Sequence, residues 1–208
     1  MKKLLALLFS LFLLSSPSVF ADDISDFTIE GISIGDSLLE YMTEDKILEQ
    51  IERTKDYFLH LKEPNKYAFI KLTRDFPTYD SVDFLIKNNA VNQYVGNKNE
   101  KYTILYVSGY IEYIEDFDSC IQKRDEVAAV VSEMFPNAHK WDVIFPTSND
   151  PSGDSIMDAV YFEFDSGAEI DAYCENIEET FRIKKNWGEN LNVSISTREI
   201  ASWLRGYQ

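Results

Sequence analysis

The stretch from Asp158 to Asn176, DAVYFEFDSGAEIDAYCEN, constrains the fold more than any other, because it reads as a complete β-hairpin carrying one of only two cysteines. Val160, Phe162 and Phe164 alternate with Tyr161, Glu163 and Asp165. After the turn, Ile170, Ala172 and Cys174 alternate with Glu169, Asp171, Tyr173 and Glu175. A period of two predicts strands with one buried and one wet face. Asp165, Ser166 and Gly167 between the arms offer a side chain that bonds nearby backbone and a residue tolerant of positive φ, as a tight turn requires. Cys174 is therefore expected to point inward.

The chain opens with an address. Lys2 and Lys3 precede an apolar run from Leu4 to Leu14, and Val19-Phe20-Ala21 suits a cleavage point, so residues 1–21 read as an export signal and the mature chain is expected to start at Asp22. The run is short for a membrane span, and no cysteine stands at the cleavage point to take a lipid. Removing 21 of the 208 residues leaves 187, enough for one domain with a real core. The formal charge of −16 loses two lysines with the signal and becomes −18. Such a chain repels nucleic acid and anionic lipid head groups. The product is expected to be soluble and periplasmic or secreted, with no nucleic-acid partner and no membrane insertion after signal removal. An envelope protein or a small ligand is the expected partner.

In an exported chain two cysteines are most simply one disulfide, here Cys120 to Cys174. Cys120 opens a predicted helix over about 119–135, capped by Asp118 or Ser119, with Val127, Val131 and Met134 on the same stripe. If Cys174 faces inward, the bridge pins helix to sheet. No CxxC motif supports a redox role.

Around these two elements the chain divides readily. A short alternating lead over 27–32 precedes a short helix near 37–42 capped by Asp36 or Ser37, and a longer helix from Thr43 to about His60. Strands are expected over 67–73, 79–87 and 102–107, with Ser108-Gly109 as a bulge before the chain resumes to Ile114. Asn88 to Lys101 reads as a polar loop, 141–145 as a short strand and Pro146 to Ser155 as the most loop-like segment. Leu191, Val193 and Ile195 alternate as a last strand. Ser196-Thr197-Arg198-Glu199 then fits a capping box, with Ile195 and Ile200 as its hydrophobic staple and Trp203 and Leu204 anchoring the final helix. The fold class that follows is α+β: a single domain with a mostly antiparallel sheet packed by two longer helices and a short C-terminal helix.

Four groups could carry chemistry. Asn149, Asp150, Asp154 and Asp158 in or beside a Gly/Pro/Ser-rich loop offer oxygen ligands of the type calcium takes, although the spacing is not that of an EF-hand. Glu163, Asp165, Glu169 and Asp171, beside Tyr161 and Tyr173 on the outer hairpin face, could bind sugar or act as a carboxylate pair in glycoside hydrolysis. The tyrosines between Tyr102 and Tyr113 could form a stacking platform or be ordinary sheet residues. Phe181 to Trp187, FRIKKNW, could meet an anion or pair internally with Glu175 to Glu179. His60 and His139 read as structural or exposed, and Asn192-Val193-Ser194 as a glycosylation sequon inside a strand. The absence of HExxH, GxSxG and Walker A leaves no motif for protease, esterase or nucleotide chemistry, and no cofactor is expected beyond possible calcium.

Three stretches carry a resemblance: Phe27 to Met42, FTIEGISIGDSLLEYM; Tyr161 to Cys174, YFEFDSGAEIDAYC; and Val193 to Leu204, VSISTREIASWL. On these the chain resembles small exported proteins of unknown function from marine Gram-negative bacteria. The resemblance implies export to the periplasm and one compact domain, and carries no site residues across. Together these readings favour a non-enzymatic ligand- or partner-binding domain, with a hydrolase of carbohydrate or envelope material using the hairpin carboxylates as the alternative.

Overall fold

A computed structural model describes residues 24–87, 101–147 and 150–206. The proposed signal and most of the polar loop after residue 87 lie outside the described residues, as does Asn149. Among the described residues seven strands form one antiparallel sheet: β1 (Tyr67–Leu72), β2 (Ser81–Lys87), β3 (Ile104–Glu112), β4 (His139–Pro146), β5 (Ile156–Glu163), β6 (Glu169–Asn176) and β7 (Asn190–Ser196). Their order is β1-β2-β3-β7-β6-β5-β4, so two three-stranded meanders meet on the last strand. Among the described residues the α-helices are α1 (Glu44–Thr54), α2 (Phe117–Met134), α3 (Glu179–Lys185) and α4 (Arg198–Leu204), and the short helix expected near 37–42 is one 3-10 turn, Leu38–Glu40, capped by Ser37. The chain is a single α+β domain, as the hairpin and helix patterns predict.

One face of the sheet is covered, except along the edge strand β4, where Ile144 stays 62% exposed. Ile70, Val82, Phe84, Ile86, Val107, Phe162, Ile170, Ala172, Cys174, Val193 and Ile195 are all buried in one apolar cluster. The helix α2 lies over β5, β6 and β7, while α1 packs on β1. Cys120 and Cys174 form the expected disulfide, with Cα atoms 6.0 Å apart. Phe135, at the end of α2, meets Phe164 of the hairpin edge to face at 5.0 Å. Gly167 adopts φ +78° in the hairpin turn, and its N–H donates to the Phe164 carbonyl at 2.7 Å.

Several local expectations need correction. α1 ends at Thr54 rather than His60, and the next residues turn round the sheet edge so that Phe58 and Leu61 pack on the second face. α2 is capped by Asp116, which accepts from the Ser119 N–H, and its buried stripe is Cys120, Arg124, Ala128 and Val131, leaving Met134 exposed. The strand β3 runs unbroken through Gly109, and the register shift falls instead near Leu105, between the partners of Leu85 and Ile86. Gly109 makes room for a neighbouring ring instead, since a Cβ there would lie 2.5 Å from Tyr79. The cap of α4 is Thr197, whose hydroxyl accepts from the Ile200 N–H at 3.4 Å. Glu199 is thereby freed to accept from the Tyr67 hydroxyl. Ile195 and Ile200 end in two different apolar clusters, so they form no staple.

The second face is only partly covered. At one end Ile200 and Trp203 of α4 join Leu61, Tyr67, Leu85 and Leu105 in a small cluster. Trp203 meets the Tyr67 ring at 4.8 Å and the Phe58 ring at 5.0 Å, both edge to face. Its indole N–H donates to the Lys62 carbonyl at 3.0 Å. Tyr106 packs against this cap, and away from it Tyr110, Tyr161, Asp171, Tyr173 and Asn192 are half-buried.

Candidate functional site

Strand register builds the site. Alternation along β7 sends Leu191, Val193 and Ile195 under α2 and Asn190, Asn192, Ser194 and Ser196 to the second face. Antiparallel pairing then aligns one transverse row on that face: Lys71, Asp83, Ser108, Ser194, Asp171, Tyr161 and Trp141, one residue from each strand. A neighbouring row holds Ser81, Tyr110, Asn192 and Tyr173. Trp141 and Tyr161 stack with centroids 5.4 Å apart and an interplanar angle of 16°, and His139 leans on Trp141 at 5.3 Å.

Hydrogen bonds fix the floor. The Ser108 hydroxyl donates to Asn192 Oδ1 at 2.8 Å, the Ser194 hydroxyl to Asp171 Oδ1 at 2.6 Å, and Asn190 Nδ2 to Glu175 Oε2 at 3.0 Å. Asp83 Oδ1 and Ser81 Oγ are buried without any hydrogen-bond partner among the described residues. Desolvation raises the carboxyl pKa of Asp83 to about 6 against a small opposing pull from Lys71. Asp171 is likewise raised to about 6 by burial, and the Ser194 hydroxyl only partly offsets it. Burial also pushes Glu175 up, with Asn190 opposing. Among the described residues no lysine, arginine or histidine makes an ion pair with any of these three acids. Burial raises Tyr110 to about 12 and Tyr173 well above the ordinary phenol range, so both rings stay neutral.

At the β3–β7–β6 end this face runs into a cleft of about 340 Å³, walled by Tyr110 and Trp187 over Glu175 and Asn190. Trp187 is held edge to face against buried Phe181 at 5.3 Å. A Cβ on Gly188 would lie 2.7 Å from Tyr110 Oη, so glycine there lets the phenol close one wall. A larger polar cleft of about 460 Å³ lies at the hairpin turn between His139, Glu163, Glu169, Arg198 and Arg205. Its charges largely cancel, since Arg205 pairs with Glu169.

The candidate groups scatter over these places. Asp150 is drawn into its own loop: its carboxylate accepts from the Ser152 and Ser155 hydroxyls, each at 2.7 Å, and from their backbone N–H groups. Those bonds hold its pKa well below the usual carboxylate range. Asp158 lies on the covered face and pairs with Arg124, while Asp154 is exposed. Among the described residues no group of three His, Cys, Asp or Glu side chains could hold a metal ion. Of the hairpin acids, Glu163 and Glu169 stand opposite each other at the turn end, Asp165 lies in the turn and Asp171 faces Tyr161. His60 and His139 are both exposed. The basic-aromatic stretch forms α3, and its Arg182 donates to Glu115 at 2.7 Å rather than to the acids of 175–179. Asp83, Ser194 and Asn192 are the site residues that motif reading misses. For Asn192 and Ser194 the one signal is the polar alternation Asn190, Asn192, Ser194, Ser196 within an otherwise apolar strand; for Asp83 it is a lone acid between the apolar residues of β2.

Comparison of the chain with protein-family models, with curated proteins and with solved structures found no match. Among the described residues no helix is long and apolar enough to cross a membrane.

Proposed function

We propose that the chain is an exported, non-enzymatic binding domain, periplasmic or secreted, whose ligand seats on the second face of its sheet. The observation that carries this reading is the transverse row of acids, serines and aromatics on a half-buried face, opposite a face largely covered by α1, α2 and the N-terminal segment. A sheet gains nothing for its own stability by burying Asp171 without a cationic partner and Asp83 with only the weak pull of Lys71, since desolvating a charge costs energy that only a pairing group returns. Such groups are retained where something else supplies the pairing. The basic start, the following apolar run and the single disulfide support export, as does the resemblance to small exported bacterial proteins.

The hydrolase alternative has one point in its favour, carboxyls with pKa near 6, which suits a general acid. Geometry weighs against it. Asp83 and Asp171 are three strand spacings apart, about 14 Å, beyond the roughly 6.5–9.5 Å of an inverting carboxylate pair. Glu163 and Glu169 are neighbours, but Glu169 is committed to Arg205.

The experiment is thermal unfolding of the oxidised protein against amines, sugars, amino acids and divalent ions. A ligand at a hundred times its Kd adds about 2.7 kcal/mol to the folded state, an easily measured shift. The reading predicts that any shift found is lost in Asp171→Asn or Tyr173→Leu and kept in Asp154→Asn on the distant loop. A shift that survives both face substitutions would place the ligand elsewhere.

A further inference from the structure

We propose that the cleft between Tyr110 and Trp187, floored by Glu175 and continuous with the acidic sheet face, binds an organic cation of the alkylammonium class. The inference rests on the binding-face reading above and names the chemistry of its ligand.

Donor and acceptor accounting leads to it. The hydroxyls of Ser108 and Ser194 are already donated to Asn192 and Asp171, and the Asn190 amide is engaged by Glu175 and by the Gly188 carbonyl at 3.3 Å. What remains on the face is a carboxylate oxygen that only accepts and a hydroxyl that both donates and accepts. Ser81, only 4% exposed, shares this face with Tyr110 as its cross-strand partner, and its Oγ is unbonded; so is the buried Oδ1 of Asp83, two residues along the same strand. Neither lines the cleft itself, whose acceptor is the Glu175 carboxylate, bonded at one oxygen by Asn190; a ligand meeting it gains by bringing N–H donors and positive charge, which an ammonium supplies and a neutral sugar supplies only in part.

The walls suit the same chemistry. A cation within about 6 Å of an aromatic centroid is drawn to the ring's negative face, more strongly where water is excluded. Tyr110 already demonstrates this: the Lys71 ammonium lies 5.8 Å from its ring centroid. Trp187, the best ring type for the purpose, stands across the cleft with 39% of its surface exposed. Glu175 lies between them, with one oxygen held by Asn190 and no basic side chain paired to it among the described residues. The chain's net charge of −16 adds long-range attraction for cations and repels acids.

The test is isothermal titration of the oxidised protein at about 0.15 M salt with putrescine, spermidine and choline, beside neutral chito-oligosaccharides, with tryptophan emission followed in parallel. The expected result is saturable binding of at least one amine with a change in emission that Trp187→Phe abolishes, and at least tenfold weaker binding in Glu175→Gln and in Tyr110→Leu. Far-UV dichroism verifies that each variant is folded, and Asp125→Asn, a remote exposed acid, is expected to bind like the parent. Equal weakening in Asp125→Asn, or no weakening in the cleft variants, would overturn the proposal in favour of diffuse charge attraction. Saccharide binding that quenches Trp187 while amines fail would overturn the cation class and leave the binding face standing. Failure of every probe at millimolar concentration, with the face substitutions also silent in the thermal screen, would sink both.

Discussion

Arg124 of α2 pairs with Asp158 of β5, and the two stand beside the Cys120–Cys174 bridge: Arg124 is one helical turn beyond Cys120, and Asp158 is the cross-strand partner of Cys174. Helix and sheet are thus joined twice at adjacent points, once by a covalent bond and once by a charge pair. The Arg124 side chain is 9% exposed and that of Asp158 19%. Breaking a buried pair leaves an uncompensated charge and costs about 3–5 kcal/mol. Asp158→Ala is expected at the low end, about 3 kcal/mol, because Asp125 still accepts from Arg124. Urea unfolding measures it, and the double substitution Arg124→Met with Asp158→Leu should recover most of the loss. No recovery would mean that the pair contributes more than charge compensation.

The disulfide closes a separation of 54 residues, for which chain entropy gives about 4 kcal/mol. Replacing both cysteines by alanine should lower the urea midpoint accordingly, and reducing agent should shift the parent to the same value. A midpoint unchanged by reduction would show that the charge pair and α2 packing suffice.

Asp171 supplies a pH test. Its folded pKa of about 6 lies above the ordinary 3.8, so the folded state holds the proton more tightly. Stability from this group is full below about pH 4 and falls as pH rises through about 6, the reverse of a salt-bridged aspartate. Asp171→Asn, which can still accept from Ser194, should therefore raise stability at about pH 7.5 by about 2 kcal/mol and flatten the curve between about pH 4 and 6. The thermal midpoint across that range decides it. A variant less stable than the parent at that pH would mean that the carboxylate is compensated in the folded protein.

Gly109 and Tyr79 give a steric test. Gly109→Ala places a Cβ 2.5 Å from the Tyr79 ring and should cost about 1–3 kcal/mol by overpacking. Tyr79→Leu in the same chain should return part of it. Additive losses in the double variant would locate the cost elsewhere in β3.

Local pattern makes much of this fold readable, because alternation, caps and turn residues act within a few positions. The hairpin from 158 to 176, the inward Cys174 and the helix bearing Cys120 follow from such signals. Where two adjacent residues offer the same chemistry, as Ser196 and Thr197 do for the α4 cap, packing chooses between them: Thr197 as cap leaves Ile200 and Trp203 facing the second side of the sheet. α3 is hard to read because Glu178, whose carboxylate accepts from the Thr180 and Phe181 N–H groups, is an unusual cap for a helix of seven residues. The site is the least legible part. Asp83, Ser108, Ser194 and Asp171 come from four strands, and only the pairing order brings them into line. A strand's own sequence states which residues share a face, not which strand lies beside it.

The strand order also governs when this protein can fold. Its middle strand is its last, so the two meanders have no shared edge until residues 190–196 have been made. Up to that point each half presents a bare edge at β3 or β6, and the site's central row is split between them. Synthesis from the N-terminus therefore leaves the sheet in two halves until β7 has been made. Such a delay would suit the export proposed above, in which a chain is threaded through a membrane before it closes.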